Sequence, residues 1–385
     1  MSSADPIEAV LRKAPLTGCQ LREARHADAY VEARRAMEIC NACRYCEGFC
    51  AVFPAMTRRR DFADADLNYL ANLCHGCRAC FYSCQYAPPH EFGINVPKVF
   101  AEVRLRSYEQ YCWPKPLGRL FRRNGSIVAS AVAAGTIVSV LLALWLIDGA
   151  VLFQPARHPG AFYAIVPYWI MMSLAGAASL FALTSVTIGA MAFWRDVAGR
   201  QQVHARSVRA AMYDALSLRN LDGGAGQGCN DRDESYSKAR RYFHHAMFYG
   251  FALCFAATCV ATVYDHILGR KAPYDFWSIP VQLGLWGGIG LLVGTSGLAW
   301  VKVRGDPTPT SASAAGSDNA LLILLALTAL TGLLLLALRG TAAAGILLAV
   351  HLGNVVTLFI AIPYSKMIHG IYRSAALLYS ALESD

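Results

Sequence analysis

The sequence predicts a mainly α protein in two parts: a helical, cysteine-rich domain over residues 1–125 and a six-helix membrane bundle over residues 126–385, the bundle interrupted by a polar loop at 195–242. Three observations predict it. One cysteine spacing occurs twice in the first part, apolar residues beside those cysteines recur at helical intervals, and six apolar stretches fill the second part.

Eight of the 13 cysteines form the two runs, Cys40-x2-Cys43-x2-Cys46-x3-Cys50 and Cys74-x2-Cys77-x2-Cys80-x3-Cys84. This is the bacterial spacing that wraps a [4Fe–4S] cube: three close thiolates serve one cluster and the trailing cysteine reaches the other. Crossed ligation assigns Cys40, Cys43, Cys46 and Cys84 to one cluster, and Cys74, Cys77, Cys80 and Cys50 to the second. Structural zinc competes, because Cys-x2-Cys pairs also build zinc ribbons. Zinc does not explain a three-cysteine run with a trailing fourth, repeated. A disulfide framework is disfavoured in a segment that reads as cytoplasmic. The proline that usually follows the fourth cysteine is replaced by Ala51 and Gln85, with Pro54 and Pro88-Pro89 a little further on. Cys19, Cys112, Cys229, Cys254 and Cys259 fit no ligand spacing and read as small buried side chains.

The flanking segments give the two-cluster, ferredoxin-like domain its helical character. Ala29–Ile39 and Asp64–Leu73 place apolar residues three and four apart, each leading into a cysteine run. Asp64 is the expected cap of the second helix. Pro97 suits the first turn of another, running through Val99, Val103 and Leu105. His75 and His90 lie beside the second run and read first as surface or loop histidines; a hydrogen bond to cluster sulfur is the sharper alternative.

Crossing a bilayer takes about 20 apolar residues. The expected spans are Ile127–Ile147, Phe162–Trp194, Phe243–Tyr264, Phe276–Val301, Ala320–Leu338 and Ala342–Met367. They account for a positive mean hydropathy in a chain with net charge +9. Arg119, Arg122 and Arg123 precede the first span, Arg195, Arg200, Arg206, Arg209, Arg219, Arg240 and Arg241 lie in the 195–242 loop, and Lys302 and Arg304 follow the fourth span. The opposite loops hold only Arg157, Arg270, Lys271 and Arg339. The positive-inside rule therefore puts both termini in the cytoplasm and accounts for the basic balance without nucleic acid. The opening MSSADPIEAVLRKAP lacks the apolar core of a secretory signal, so the cysteine domain is expected to stay there too. Trp145, Trp169, Trp194, Trp277 and Trp300 fall near span ends, as interfacial anchors do. Within the loop, Val203, Ser207, Ala210, Ala211, Asp214 and Leu218 with Arg206, Arg209 and Arg219 predict an amphipathic helix on the membrane face, open to partner docking. Gly223-Gly-Ala-Gly-Gln-Gly lies in a polar loop, not between strand and helix, so it reads as a flexible loop and not as a nucleotide site.

Ionisable residues inside spans are expensive and usually functional. His351 and His369 are 18 residues apart; on one unbroken helix that is about five turns, with both rings on one face about 27 Å apart. The third span opens at His244-His245 and closes at His266. By span direction, His244, His245 and His369 are cytoplasmic, and His266 and His351 lie toward the outside. Paired histidines from two helices at one depth are what a bis-His haem b needs, giving one haem or two. The plainer alternative makes them interfacial histidines satisfied by water or headgroups. No Cys-x-x-Cys-His is present, so c-type haem is not supported.

The stretch His351-Leu-Gly…Leu358-Phe359…Pro363-Tyr-Ser-Lys-Met-Ile-His369 resembles the last helix of the haem-b gamma subunit of respiratory nitrate reductase, where histidines at this spacing ligate two haems. The partner histidines of that family are more closely spaced than any pair here. Over nearly the whole chain, the two cysteine runs, the six spans and Arg240-Arg-Tyr-Phe-His-His-Ala-Met-Phe-Tyr-Gly-Phe resemble the tricarballylate/citrate-utilisation protein B family. That resemblance implies an electron carrier of the bacterial cytoplasmic (inner) membrane. It implies as partner an FAD-dependent tricarballylate dehydrogenase, which oxidises tricarballylate to cis-aconitate, and as acceptor the membrane quinone. The residues alone carry the reading only to clusters that feed a membrane haem.

Two other functions fit the same residues. One is a quinone-linked iron–sulfur/cytochrome b subunit of another dehydrogenase or of a heterodisulfide-reductase-like complex. The other, of a different class, is a membrane-tethered cluster sensor or a metal-centre assembly factor. A sensor needs an output domain, and the sequence offers only the 195–242 loop, the linker at 305–319 and a short tail. Substrate oxidation belongs to another chain, since no flavin-binding glycine loop is present.

Overall fold

The computed structural model describes residues 20–121, 152–223 and 226–384, with isolated positions between 130 and 146. Among these residues regular structure is helical, apart from one antiparallel bridge between Cys229 and Ser237. The expected span Ile127–Ile147 falls largely outside the described residues, as does Cys19. Among the described residues, five helices are long and apolar enough to cross a membrane.

The cysteine domain comprises α1 (Gln20–Cys43), α2 (Val52–Thr57), α3 (Asp64–Leu73), α4 (Ala79–Tyr82), α5 (Val96–Tyr111) and α6 (Lys115–Phe121). α3 matches the predicted segment, but its cap differs. Ala63 is the N-cap, and Asp66 reaches back to accept the Ala63 amide at 3.1 Å. Asp64 instead pairs with Arg34 of α1 at 2.8 Å. α5 begins as Pro97 predicts, and Asn95 accepts the Lys98 amide at 3.2 Å, satisfying one of the donors that a helix start leaves open.

The second part continues with α7 (Ala161–Ile165), α8 (Tyr168–Val197), α9 (Ala205–Ser217), α10 (Ala239–His266), α11 (Ile279–Arg304), α12 (Ala312–Leu338), α13 (Ala344–Ala361) and α14 (His369–Ser384). α9 is the predicted amphipathic helix. It packs on α14 through the buried Ser207 and Ala211, so its apolar face meets protein where a headgroup surface was the default. α10 and α11 pack backbone to backbone: a Cβ on Gly287 would stand 2.8 Å from the Cys254 amide, and one on Gly250 would stand 2.6 Å from that of Leu291. Small residues at such crossings are what close helix approach in a membrane requires. Trp169, Trp277 and Trp300 remain exposed, as anchors should.

The last span is shorter than its apolar run. α13 ends at Ala361, Pro363 withdraws one backbone donor and crowds the preceding turn, and a 3-10 turn over Lys366–Ile368 redirects the chain into α14. His351 and His369 therefore sit on different helices, and the single-helix face expected for them does not form.

α14 returns into the cysteine domain. Phe193 of α8 stacks on Tyr372 of α14 with centroids 5.0 Å apart, and Tyr111 of α5 meets both edge-on. These rings share one buried core with Met37, Phe53, Met56, Leu67, Leu70 and Phe100. Each such side chain buried contributes about 1.5–3 kcal/mol. The cysteine domain is thus welded to the helical bundle rather than tethered to it. At the far end of α14, Glu383 binds Arg59 at 2.7 Å and accepts from Tyr69 at 3.0 Å.

Candidate functional site: two cysteine runs above an imidazole pair

Each cysteine run leaves a helix and turns on an arginine. Arg44 follows Cys43 and Arg78 follows Cys77, and both adopt left-handed backbone, at φ 56° and 67°. That conformation costs a residue with a side chain about 1–2 kcal/mol. Its recurrence at matching positions means the repeat in sequence is a repeat in shape.

The thiols gather in two groups, four and four. The thiol neighbours of Cys40 are Cys46, Cys84 and Cys43; those of Cys50 are Cys77 and Cys74. Cys80 joins Cys77, Cys74 and Cys50, with Cys46 of the other group its fourth and weakest thiol neighbour. Burial, and after it the neighbouring thiols, push Cys40 and Cys46 up to about 12 and raise Cys50 and Cys80 well above an ordinary thiol. Left to themselves such thiols stay protonated; a strongly cationic centre would deprotonate them outright and take them as ligands. Among the described residues, no three ligating side chains close tightly enough for a single ion. The donor set fits a cluster at each group.

The two groups differ in setting. Cys40, Cys43, Cys46 and Cys84 are half-exposed, and Tyr45 beside them is 66% exposed. Cys74 and Cys77 are buried. The backbone of this second run is held from below. Arg373 of α14 donates to the Cys74 carbonyl at 2.9 Å, and Arg104 of α5 donates to the same oxygen at 3.1 Å. Arg240 at the head of α10 donates to the Gly76 carbonyl at 2.6 Å and pairs with Asp231. Arg78 is itself buried and donates to the Asp231 carbonyl at 2.7 Å.

His244 and His369 face each other under this run. Their ring centroids are 6.1 Å apart and nearly perpendicular, at 84°. With metal–imidazole bonds of about 2 Å, two rings flanking one metal have centroids roughly 6 Å apart. Nδ1 of His369 bonds to the Lys366 carbonyl, which leaves Nε2 free to bind a metal. Nδ1 of His244 is buried without a hydrogen-bond partner. Both rings line a cavity of about 1740 Å³, walled by Trp194, Met191, Met247, Phe248, Lys302 and Lys366 among others. An apolar chamber with cations at its edge suits a haem, whose propionates need them; His244 and His369 are the residues that would hold it.

The remaining histidines have other partners. His245 binds the Ser217 carbonyl at 3.1 Å and so ties α10 to α9. His266 binds the Tyr168 hydroxyl at 3.0 Å at the end of α10, beside an Asp265–Lys271 pair. His351 lies about two turns inside α13 and bonds to Thr331 at 3.2 Å, within a polar group that includes Asn354. His266 and His351 are not brought together. His75 lies in a loop, as expected, but is half-buried rather than on the surface; it bonds to the Leu73 carbonyl at 2.8 Å and lines the same cavity. Burial, then the Arg373 charge, holds its pKa well below the usual histidine range. His90 keeps a loop position, in a ring group with Tyr86 and Phe92. Of the other cysteines, Cys112 and Cys229 are buried as expected, Cys254 is half-buried, and Cys259 is exposed on α10. The sequence reading passed over Arg104, Arg240 and Arg373. Arg240 and Arg373 each stand four residues from a histidine, and that spacing was the available signal.

A ferredoxin-type cysteine domain built into helices that can span a bilayer defines a membrane iron–sulfur protein. The family model described as "Citrate utilization protein B Fer4-like domain" matches residues 33–110, and that described as "Citrate utilization protein B" matches residues 122–385. The chain is 49% identical over 352 residues to the citrate utilization protein B of Escherichia coli, covering 91% of this chain and 92% of that protein. It belongs to the citrate utilization protein B family. No solved structure matches it.

Proposed function

We propose that this chain is a membrane electron carrier that reoxidises an FAD-dependent tricarballylate dehydrogenase and delivers the electrons, by way of two [4Fe–4S] clusters and haem b, to membrane quinone. The observation that carries this reading is the His244–His369 pair lying directly beneath the second cysteine run, on helices whose arginines grip that run. Haem b, when bound, supplies a one-electron centre inside the membrane. The chain's own residues do the rest. The half-exposed first run receives a soluble partner, the crossed cysteines set two clusters side by side, and α10 and α14 hold the imidazoles at fixed distance from Cys74. Substrate oxidation belongs to the partner; this chain supplies quinone-reducing activity. The reading places the protein in the bacterial inner membrane, with both termini and the 195–242 loop in the cytoplasm. The relative's name supports a role in citrate use.

The test is an iron and absorbance measurement on anaerobically purified protein, before and after adding the reduced flavoprotein. About eight irons per chain are expected for two cubanes, with haem absorbance that shifts on reduction and quinone reduced in turn. Zinc in place of iron, or a haem spectrum unmoved by the reduced flavoprotein, would overturn it.

A further inference from the structure

The second cysteine run is surrounded by positive charge to an extent the first is not. Arg78, Arg104, Arg240 and Arg373 all donate to carbonyls of this run or of the loop against it. Arg240 has Asp231 as its counter-ion. Arg104 and Arg373 share the Cys74 carbonyl with no carboxylate at ion-pair distance among the described residues. Two half-buried guanidiniums held side by side repel each other unless an anion lies beside them. A four-thiolate cluster is that anion, and reduction makes it more negative still. At the first run, Arg44 is exposed and turns back to the Asn41 carbonyl.

We propose that Arg104 and Arg373 are the counter-charges of the cluster on the second run, and that they hold its reduction potential above that of the first, so that electrons entering at the first run pass inward. The inference rests on the cluster reading above. Burial of the second run works in the opposite direction, since a low dielectric disfavours the more negative, reduced form. The two half-buried cations lie against the ligand backbone itself, so the cations prevail. The step is a single-electron transfer with no bond made or broken. An electron supplied by the reduced flavoprotein leaves the first run and arrives at the second, and the membrane acceptor removes it. Arg104 and Arg373 act as positioning residues for charge, not as catalytic residues.

The test is a redox titration followed by electron paramagnetic resonance on the full-length, iron-loaded protein, with Cys84→Ser used to mark the first-run signal. In the unaltered chain the second-run signal is expected at the higher midpoint. Arg373→Gln and Arg104→Gln should each lower that midpoint and leave the first-run midpoint in place, while Arg373→Lys should keep most of it. If a Gln variant instead loses half of its iron, the matching Lys variant must restore it for the counter-charge role to stand. A second-run midpoint at or below the first, Gln variants that move neither cluster, Gln variants that move only the haem signal, or Lys variants that fail to restore iron would each overturn the inference. Full iron with unmoved midpoints refutes it alone, whereas protein that holds zinc and no iron refutes the cluster reading beneath it.

Discussion

Arg373 lies one turn beyond His369 and donates to the Cys74 carbonyl at 2.9 Å. The same device occurs on α10, where Arg240 stands one turn before His244 and donates to the Gly76 carbonyl. Residues four apart share a helix face. Each helix therefore presents an imidazole and a guanidinium together, one toward the cavity and one toward the second cysteine run. The distance between cysteine run and imidazole pair is fixed by two helices and not by a loop.

The pairing of His244 with His369 predicts which variants lose haem. His369→Ala and His244→Ala should each retain both clusters and lose haem absorbance, with reduced flavoprotein then reducing the clusters but not quinone. His245→Ala should keep its haem, because that ring serves the Ser217 carbonyl. Reduced-minus-oxidised difference spectra of the three purified variants check this. Full haem and full quinone reduction in the His369 variant would return the ring to an interfacial role.

Crossed ligation predicts an unusual cysteine phenotype. Cys50 lies among Cys74, Cys77 and Cys80, so Cys50→Ser should damage the cluster of the other run and leave Cys40, Cys43 and Cys46 loaded. Cys84→Ser should do the converse. Iron content and the paramagnetic signal of each cluster report which one is lost; damage confined to a variant's own run would disprove the crossing.

Much of this was legible in the sequence, and the reason is specific to each element. The cysteine runs announce an iron–sulfur, ferredoxin-like domain by spacing alone, and α3 and α5 carry their apolar periodicity and start signals locally. The break after Ala361 was not legible, because the apolar run continues past Pro363 and hydropathy does not register a helix end inside it. The partner of His369 was narrowed to His244 or His245 by depth, and only packing chose between them: Gly294 admits Met247 and Gly297 admits Phe243 on the α11 side of α10, while His245 is turned toward α9. The grip of α14 on the cysteine domain depends on contacts more than 290 residues apart in the chain, which no local pattern records.

That long-range grip makes its own prediction. Glu383 is the terminal latch, bonded to Arg59 and Tyr69 in a setting largely shielded from water. Glu383→Ala leaves Arg59 with Asp66 but strips one charged partner, at a cost of about 1–3 kcal/mol. The expected result is a lower midpoint for thermal bleaching of cluster absorbance, with haem content unchanged at low temperature. No change in bleaching would mean that α14 is held by its aromatic core alone.

The arginine distribution predicts topology. Reporter fusions at the N-terminus, within 195–242 and at the C-terminus should all report the cytoplasm, and fusions near Arg157 and Lys271 should report the outside. A cysteine domain found outside would remove it from reach of any cytoplasmic flavoprotein and would refute the proposed partner.

The last prediction concerns haem number. His351 is bonded to Thr331, and His266 is bonded to Tyr168 at the membrane end, so the structure offers one facing imidazole pair and not two. A second bis-His haem would require His266 to move inward by about two turns, or roughly 11 Å along the axis. His351→Ala is therefore expected to keep the haem absorbance of the unaltered protein, while His369→Ala abolishes it. Pyridine haemochrome quantification per chain, with iron measured in parallel, separates the cases. One haem in the unaltered chain and one in the His351 variant fits a single site. Two haems falling to one on loss of His351 would require a second site at the outer end, with a ligand other than the His266 placement found here.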